Sequence, residues 1–370
     1  MQDRSPVRVV CRLLLLLLPW LVVPSAEAQQ TQPAAEAKVP PVERAQRFRG
    51  HDDIALSGRL TLPTDAAGEI LPGRHPGVLL VAGSGPTDLD GNQAALRPDL
   101  LKLLAQDLAG RGYVVLRFDK RGVGQSQPPP LNYKGLARFT EWPNYAGDLA
   151  AAFATLAEQP EVDPARLAVV GHSEGGYLAL EAWDVLDPKP AAVVLLATPA
   201  ESYDQVILRQ LRGSAQQLRA SGHAQADLAE RLVTEAERAF AAVKETGEMP
   251  ENLVPQLRPL LPKYLGPFFR GAMALDPPAE ARAMQFAGVP VLVLVGTADR
   301  QVDAQLTQEA YAEAFKDDVG TPARIVTPEN VSHNLKDVTA AGPAGMRGPV
   351  AEQAIEPLAA FLAEFLQPAE

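Results

Sequence analysis

The chain has 370 residues, which is enough for a large hydrophobic core and an additional inserted segment. A formal net charge of −11 argues against nucleic acid as a partner, because that role requires a basic surface. The single cysteine, Cys11, excludes a disulfide framework. We therefore expect a globular protein that relies on its core for stability.

The first 28 residues have the layout of a secretory signal. Three arginines come before or at the start of an apolar run from Leu13 to Val23, and Ala26-Glu27-Ala28 is typical of a cleavage site. The alternative is an uncleaved anchor, but the run is short for a membrane span. We expect cleavage after Ala28 and export, with a periplasmic location and no stable membrane anchor afterwards.

Residues 29–45 are rich in Gln, Pro and Ala and show no apolar periodicity, which predicts a disordered leader. The next stretch alternates apolar and polar residues around Ile54-Ala55-Leu56 and Leu60-Thr61-Leu62. This alternation predicts two antiparallel strands joined by a turn near His51-Asp52-Asp53.

Buried strands then alternate with amphipathic helices. Strands are predicted at 75–83, 112–119, 167–172 and 191–197, and helices at 96–108, 145–156 and 177–186. This alternation predicts an α/β fold, a mostly parallel sheet with right-handed crossovers and helices on both faces.

The alternation stops over residues 200–285, where only helices are predicted, among them 205–218 and 226–243. The strand pattern resumes at 289–295 and is followed by a helix at 305–315, a strand at 323–326 and a helix at 350–365. We interpret 46–199 and 286–370 as the core and 200–285 as a helical cap over the site. The alternative is a helical excursion on an unrelated edge of the sheet. Six side chains are candidates either for lining an apolar pocket or for ordinary cap core: Trp142, Tyr203, Tyr264, Phe268, Phe269 and Met273.

Gly171-His172-Ser173-Glu174-Gly175 matches G-x-S-x-G between a predicted strand and a predicted helix. This pattern is typical of a serine nucleophile on a strained strand-to-helix turn, where the glycines avoid collisions. The helix behind Ser173 would point its positive N-terminal end at the site.

A serine nucleophile needs a base and a group that orients the base. Of five histidines, His333 is the one in a loop that follows a strand downstream of Ser173 and outside the cap. Asp299 follows the predicted strand at 289–295, so the order Ser173, Asp299, His333 matches the order expected for this elbow. Asp303 competes for the acid role, although its position also suits a helix N-cap.

Two backbone N–H groups are candidates for the oxyanion hole: that of Glu174, after the nucleophile, and that of Ser84, in the loop after the 75–83 strand. The Glu174 side chain is expected to be incidental to this donor role. A phosphate-binding glycine loop is disfavoured because the sequence matches neither G-x-x-x-x-G-K-[ST] nor the spacing of G-x-G-x-x-G. No cluster of His, Cys or Glu has the spacing of a metal site. We expect no cofactor and no metal. Asp119 and Arg121 are expected to stabilise a loop beside the 75–83 strand, which leads to Ser84.

Four segments resemble the α/β-hydrolase superfamily. They are Gly83-Ser-Gly-Pro with Asp88-Leu-Asp-Gly-Asn92, Arg117 to Ser126, Gly171 to Gly176, and Ser332 to Leu335. Within the superfamily the chain is most similar to bacterial carboxylesterases of the EstD-like group related to dienelactone hydrolases. The resemblance covers residues 46–366 except the cap. This chain differs from most relatives in having Ala82 before Gly83 instead of histidine, and from true dienelactone hydrolases in having Ser173 instead of a cysteine nucleophile.

The resemblance implies a serine esterase with Ser173 as nucleophile, Asp299 as acid, His333 as base, and Ser84 and Glu174 as oxyanion donors. The expected partner is a small-molecule ester with a small to medium acyl group. A peptidase or a thioesterase on the same fold is the nearest alternative. A peptidase could use Glu201, Asp204, Glu248 or Glu251 to bind a free amine. A non-catalytic binding protein is a third possibility, although such a protein usually loses a triad residue or an elbow glycine.

Overall fold

One eight-stranded sheet organises the chain. In this computed structural model the described residues are 40–317, 319–339 and 345–367. The strands are β1 (Val42–Arg49), β2 (Ala55–Leu62), β3 (His75–Val81), β4 (Val114–Phe118), β5 (Val162–His172), β6 (Ala192–Leu196), β7 (Val291–Leu294) and β8 (Ala323–Val326). Their spatial order is β1-β2-β4-β3-β5-β6-β7-β8. β2 is antiparallel to β1 and β4, and every other neighbouring pair is parallel.

Helices cover both faces of this sheet. They are α1 (Leu100–Gly110), α2 (Tyr133–Phe139), α3 (Trp142–Ala157), α4 (Glu174–Ala182), α5 (Tyr203–Ala220), α6 (Ala226–Thr246), α7 (Gly266–Ala272), α8 (Pro277–Phe286), α9 (Ala304–Ala314) and α10 (Glu352–Phe365). α1 and α10 pack on one face, whereas α3, α4 and α8 pack on the other. The predicted α/β architecture is confirmed. Among the described residues, none of the helices combines the length and the hydrophobicity that a membrane span requires.

The inner strands read as continuous apolar runs because both of their faces are buried. In β3, Leu79 and Val81 belong to the core under α3 and α4, while Val78 and Leu80 belong to the core under α1 and α10. Successive side chains of a strand point to opposite faces, so each covered face needs its own apolar set. The predicted antiparallel entry is also confirmed, with Phe48 opposite Leu56 across β1 and β2.

Two predicted boundaries need correction. The leader was predicted to extend to residue 45, but β1 begins at Val42, because Val42 pairs with Leu62 and Arg44 forms an ion pair with Glu161. The first helix was predicted from residue 96 but begins at Leu100, because Asp99 before it has a positive φ of 51°. The predicted signal, residues 1–28, and the leader up to residue 39 lie outside the described residues.

The segment between β6 and β7 contains α5 to α8 and no strand. Helices α5 and α6 pack against each other and against α7, which in turn contacts α3 of the core. The last helix of the predicted cap, α8, has different packing partners. It packs against α4, α9 and β7, and its Ala281 and Met284 are fully buried. We therefore assign α8 to the helical layer of the core and use the word cap below for α5 to α7, whose role as a cover over the site stays a prediction.

The strand order places two loops side by side at one sheet edge. From β3 the chain moves outward to β4 and then returns to the opposite side of β3 as β5. The carboxyl ends of β3 and β5 are thus neighbours, with Val81 paired with Gly171. Ligand sites of open α/β sheets lie at such a reversal of strand order.

Candidate active site

Ser173 lies on a strained turn between β5 and α4. Its backbone has φ 54° and ψ −118°, which a residue with a side chain rarely adopts. A Cβ on Gly171 would overlap the Gly175 carbonyl, and a Cβ on Gly175 would overlap the Val81 carbonyl. A Cβ on a third glycine, Gly176, would overlap the side chain of Thr198. The glycines therefore permit β3, β5 and α4 to approach closely, and Ser173 is held at the N-terminus of the helix.

Asp299 and His333 form a hydrogen-bonded pair. The Asp299 side chain is fully buried, and its Oδ2 lies 2.8 Å from His333 Nδ1. Asp299 Oδ1 accepts hydrogen bonds from the N–H groups of Gln301 at 2.7 Å and Val302 at 2.9 Å. An ionised carboxylate only accepts hydrogen bonds, so Nδ1 carries the proton and Nε2 is left as a proton acceptor. The predicted competitor, Asp303, caps α9 by accepting from the Leu306 N–H.

His172 supports the loop that carries His333. Its Nε2 lies 2.8 Å from the His333 carbonyl oxygen, and the two rings are 4.8 Å apart. Burial, and then the proximity of His333, lower the pKa of His172 to about 3. The ring is therefore neutral at physiological pH and its Nε2–H donates to that carbonyl. The sequence does not predict this contact, because it joins residues 161 positions apart.

Ser84 and Glu174 line the same cavity as Ser173 and His333. Ser84 follows β3, and Glu174 is the first residue of α4. Among the described residues, neither backbone N–H donates a hydrogen bond to a protein acceptor. Both groups are thus available as donors on the cavity side of the sheet edge.

The side chain of Glu174 belongs to a buried polar cluster that the sequence does not predict. Its Oε1 lies 2.6 Å from Lys120 Nζ, and its Oε2 accepts from the Tyr203 hydroxyl at 2.5 Å. The same ammonium donates to the Gly83 carbonyl oxygen at 2.6 Å. Burial, followed by the charge of Glu174, raises the pKa of Tyr203 well above its ordinary value, so the hydroxyl keeps its proton. The sequence offered no signal for this cluster, because its members come from four separate segments.

The residues on both sides of Lys120 brace the neighbouring loops. Asp119 accepts from the N–H groups of Leu89 and Gln125, both at 2.9 Å. Arg121 forms a bidentate pair with Asp148, with both distances 2.7 Å and both side chains buried. The predicted stabilising role of Asp119 and Arg121 matches these contacts.

A cavity of about 230 Å³ opens at Ser173, beneath the cap. Its described lining is mostly apolar, with contributions from Leu136, Phe139, Tyr145, Tyr203, Val206, Ile207, Leu260, Tyr264, Leu265, Phe268 and Phe269. Four of the six predicted pocket residues are in this set. Trp142 and Met273 are instead buried in the core beside it. Of the histidines in the described ranges, only His333 lines the cavity. No cluster of His, Cys, Asp and Glu among the described residues could hold a metal ion.

Several known proteins are similar to this chain. The profile of the family described as "Serine aminopeptidase, S33" matches residues 99–323, which is more than half of the chain. Esterase EstD of Thermotoga maritima is 31% identical over 158 residues, or 42% of this chain and 34% of the relative. 20-Hydroxy-prefusarin hydrolase FUS2 of Gibberella moniliformis is 34% identical over 41% of this chain and 32% of its own length. The alignments therefore span about a third of these curated relatives.

Solved structures agree on the fold. The esterase Pf2001 of Pyrococcus furiosus superposes with a TM-score of 0.54 at 16% identity, covering 88% of this chain and 92% of that one. The hypothetical protein PA2218 of Pseudomonas aeruginosa superposes with a TM-score of 0.52 at 19% identity, covering 92% and 100%. Together with the family match, these similarities confirm the predicted α/β-hydrolase fold.

Proposed function

Because this chain belongs to the serine aminopeptidase S33 family of α/β-hydrolases, we propose that it is a serine carboxylesterase acting on small to medium acyl esters. The observation that carries this proposal is the lining of the cavity at Ser173. That lining is rich in aromatic and aliphatic side chains and offers no uncompensated charge among the described residues. Its volume of about 230 Å³ is below the ~300–1,000 Å³ of pockets for drug-sized ligands, which favours a compact acyl group.

In the proposed mechanism, Ser173 Oγ attacks the ester carbonyl carbon while His333 Nε2 accepts the Oγ proton. The carbonyl π electrons move to oxygen, and the N–H groups of Ser84 and Glu174 stabilise that charge. The ester C–O bond then breaks, and the alcohol leaves with the proton from His333. Water, deprotonated by His333, attacks the acyl-enzyme; the bond to Oγ breaks, and Ser173 regains its proton. Asp299 orients His333 and stabilises the imidazolium.

The family's description makes an aminopeptidase the main alternative. An aminopeptidase would be expected to offer a carboxylate to the free amine of its substrate. The acidic side chain in the described lining is Glu174, which is already engaged by Lys120 and Tyr203. The four acids suggested by the sequence are not in that lining, and three of them have basic partners: Glu201 with Arg209, Asp204 with Lys244, and Glu251 with Lys263. These pairings favour a neutral substrate.

Two substrate panels test the proposal. The first is a series of p-nitrophenyl esters from acetyl to long acyl chains, and the second is a set of aminoacyl p-nitroanilides with free amines. We expect ester hydrolysis that is fastest for short or medium chains and is abolished by Ser173→Ala. Turnover of the anilides at a higher kcat/KM than any ester would establish the peptidase alternative instead.

We also propose that the chain is exported and cleaved after Ala28, on the strength of the layout of residues 1–28. Mass spectrometry of the protein recovered from a bacterial periplasm would show a mature chain that begins at Gln29. An intact N-terminus in a membrane fraction would support an uncleaved anchor.

A further inference from the structure

A buried ammonium joins the two segments that carry the oxyanion donors. Lys120 Nζ is 2.6 Å from the Gly83 carbonyl oxygen and 2.6 Å from Glu174 Oε1. The side chains of Lys120 and Glu174 are each only 4% exposed, so water competes little for either contact. Hydrogen bonds in which the donor or the acceptor is ionised are shorter and about twice as strong as neutral ones. This contact therefore holds two loops from β3 and β5 in a fixed relation.

The contact with Gly83 acts on a donor directly. The carbonyl of Gly83 and the N–H of Ser84 belong to one planar peptide group, and in a trans peptide they point in opposite directions. Fixing the carbonyl oxygen on Lys120 therefore fixes the direction of the Ser84 N–H. The next carbonyl, that of Ser84, is held by Thr87 and Gln93, so the conformational freedom of this peptide lies at Gly83, which has no side chain, and Lys120 is the group that restricts it.

The contact with Glu174 acts on the second donor. Glu174 follows the strained Ser173 and opens α4, where its N–H has no acceptor within the helix. Its carboxylate is anchored on both oxygens, by Lys120 and by Tyr203. The side chain thus ties the first turn of the helix to the loop after β3 and to the cap helix α5.

We propose that Lys120 is a positioning residue that sets the geometry of the oxyanion hole, and that Glu174 and Tyr203 extend this clamp to the cap. The proposal rests on the esterase mechanism proposed above. The positive charge of Lys120 is compensated by Glu174, so its effect is on the direction of the two N–H groups. Preorganised donors of this kind stabilise the transition state because they need no rearrangement as charge develops.

The test compares a neutral replacement of the clamp with a matched control. Lys120→Met alone would leave the Glu174 carboxylate buried without a cation, so the informative variant is the double substitution Lys120→Met with Glu174→Gln. The control is Lys244→Met with Asp204→Asn, which removes another lysine–carboxylate pair, at 2.7 Å, between two cap helices. Thermal unfolding establishes that both variants are folded.

Removal of one oxyanion donor lowers kcat by about 10²–10³. In the double variant the donor is misdirected but still present, so we expect kcat to fall by about 10- to 100-fold. KM should stay within about threefold, since the two N–H groups act mainly on the charge that develops in the transition state. The inhibition constant of a trifluoromethyl ketone, which forms a tetrahedral oxyanion on serine, should rise by the factor lost in kcat/KM. Tyr203→Phe should show a smaller loss of the same kind, and the control should show none.

Two results for the folded double variant would overturn the proposal. One is a wild-type kcat, and the other is an equal loss of affinity for the ketone and for the alcohol product, which does not enter the oxyanion hole. The rate of labelling by a fluorophosphonate separates this outcome from failure of the esterase assignment. If the wild-type protein reacts at Ser173 but hydrolyses no ester, the esterase proposal fails. The clamp is then tested by the labelling rate, which should fall in the double variant and not in the control.

Discussion

His172 makes the stability of the fold depend on pH in a defined window. Burial, and then His333, lower its pKa from 6.5 to about 3. Between these values the unfolded chain binds a proton that the native protein does not, so stability is fully present above pH 6.5 and decreases as the pH falls. A difference of about 3.5 pKa units corresponds to roughly 5 kcal/mol in the free energy of unfolding, or about 1.4 kcal/mol per pH unit.

The substitution His172→Gln isolates this effect. A glutamine amide can still donate to the His333 carbonyl but does not titrate. Urea unfolding of both proteins at intervals from pH 7 to pH 4 yields the free energy of unfolding for each. Because carboxylate titration is common to both proteins, the difference between the two curves reports His172. We expect the wild-type protein to lose stability more steeply below pH 6.5. Parallel curves would show that His172 is not a buried neutral histidine in the native state.

Three further changes have defined outcomes. Asp299→Asn should lower kcat by about 10⁴, because an amide at that place favours the wrong His333 tautomer; a loss below tenfold in steady-state kinetics would argue against its role. Ser84→Ala should retain most activity and Ser84→Pro should lose at least ~10²-fold, because only proline removes the N–H; equal losses in kcat would exclude the backbone donor. Arg121→Met should cost about 3–5 kcal/mol in urea unfolding, because it leaves Asp148 buried without its cation, and Asp148→Asn in the same chain should recover part of that loss.

Local patterns were enough to predict most of the sheet. The inner strands are short, apolar and rich in β-branched residues, and β8 was predicted at 323–326, where the structure has it. Helix ends were harder to predict: α1 starts four residues late because Asp99 adopts a positive φ, which the apolar periodicity does not register. The short helix α2 was not predicted because it has no buried face and therefore no apolar periodicity.

Some residues of the candidate site could be predicted from the sequence, and others could not. Ser173, Asp299 and His333 were proposed from their positions after strands, and the structure brings Asp299 to His333 and places Ser173 and His333 on one cavity. Their catalytic roles remain predictions. Lys120 could not be found from the sequence, because its partners Gly83 and Glu174 are 37 and 54 positions away. Contacts of this kind are set by the packing of loops, which no local pattern encodes.

The reactivity of Ser173 is the central claim, and covalent labelling tests it most directly. A fluorophosphonate probe should add once per chain, and peptide mass spectrometry should locate the adduct on Ser173. Hydrolysis of the best p-nitrophenyl ester should disappear in proportion to labelling, and Ser173→Ala should not react. An adduct on another residue, or full ester hydrolysis after complete labelling, would contradict the assignment of Ser173 as the nucleophile.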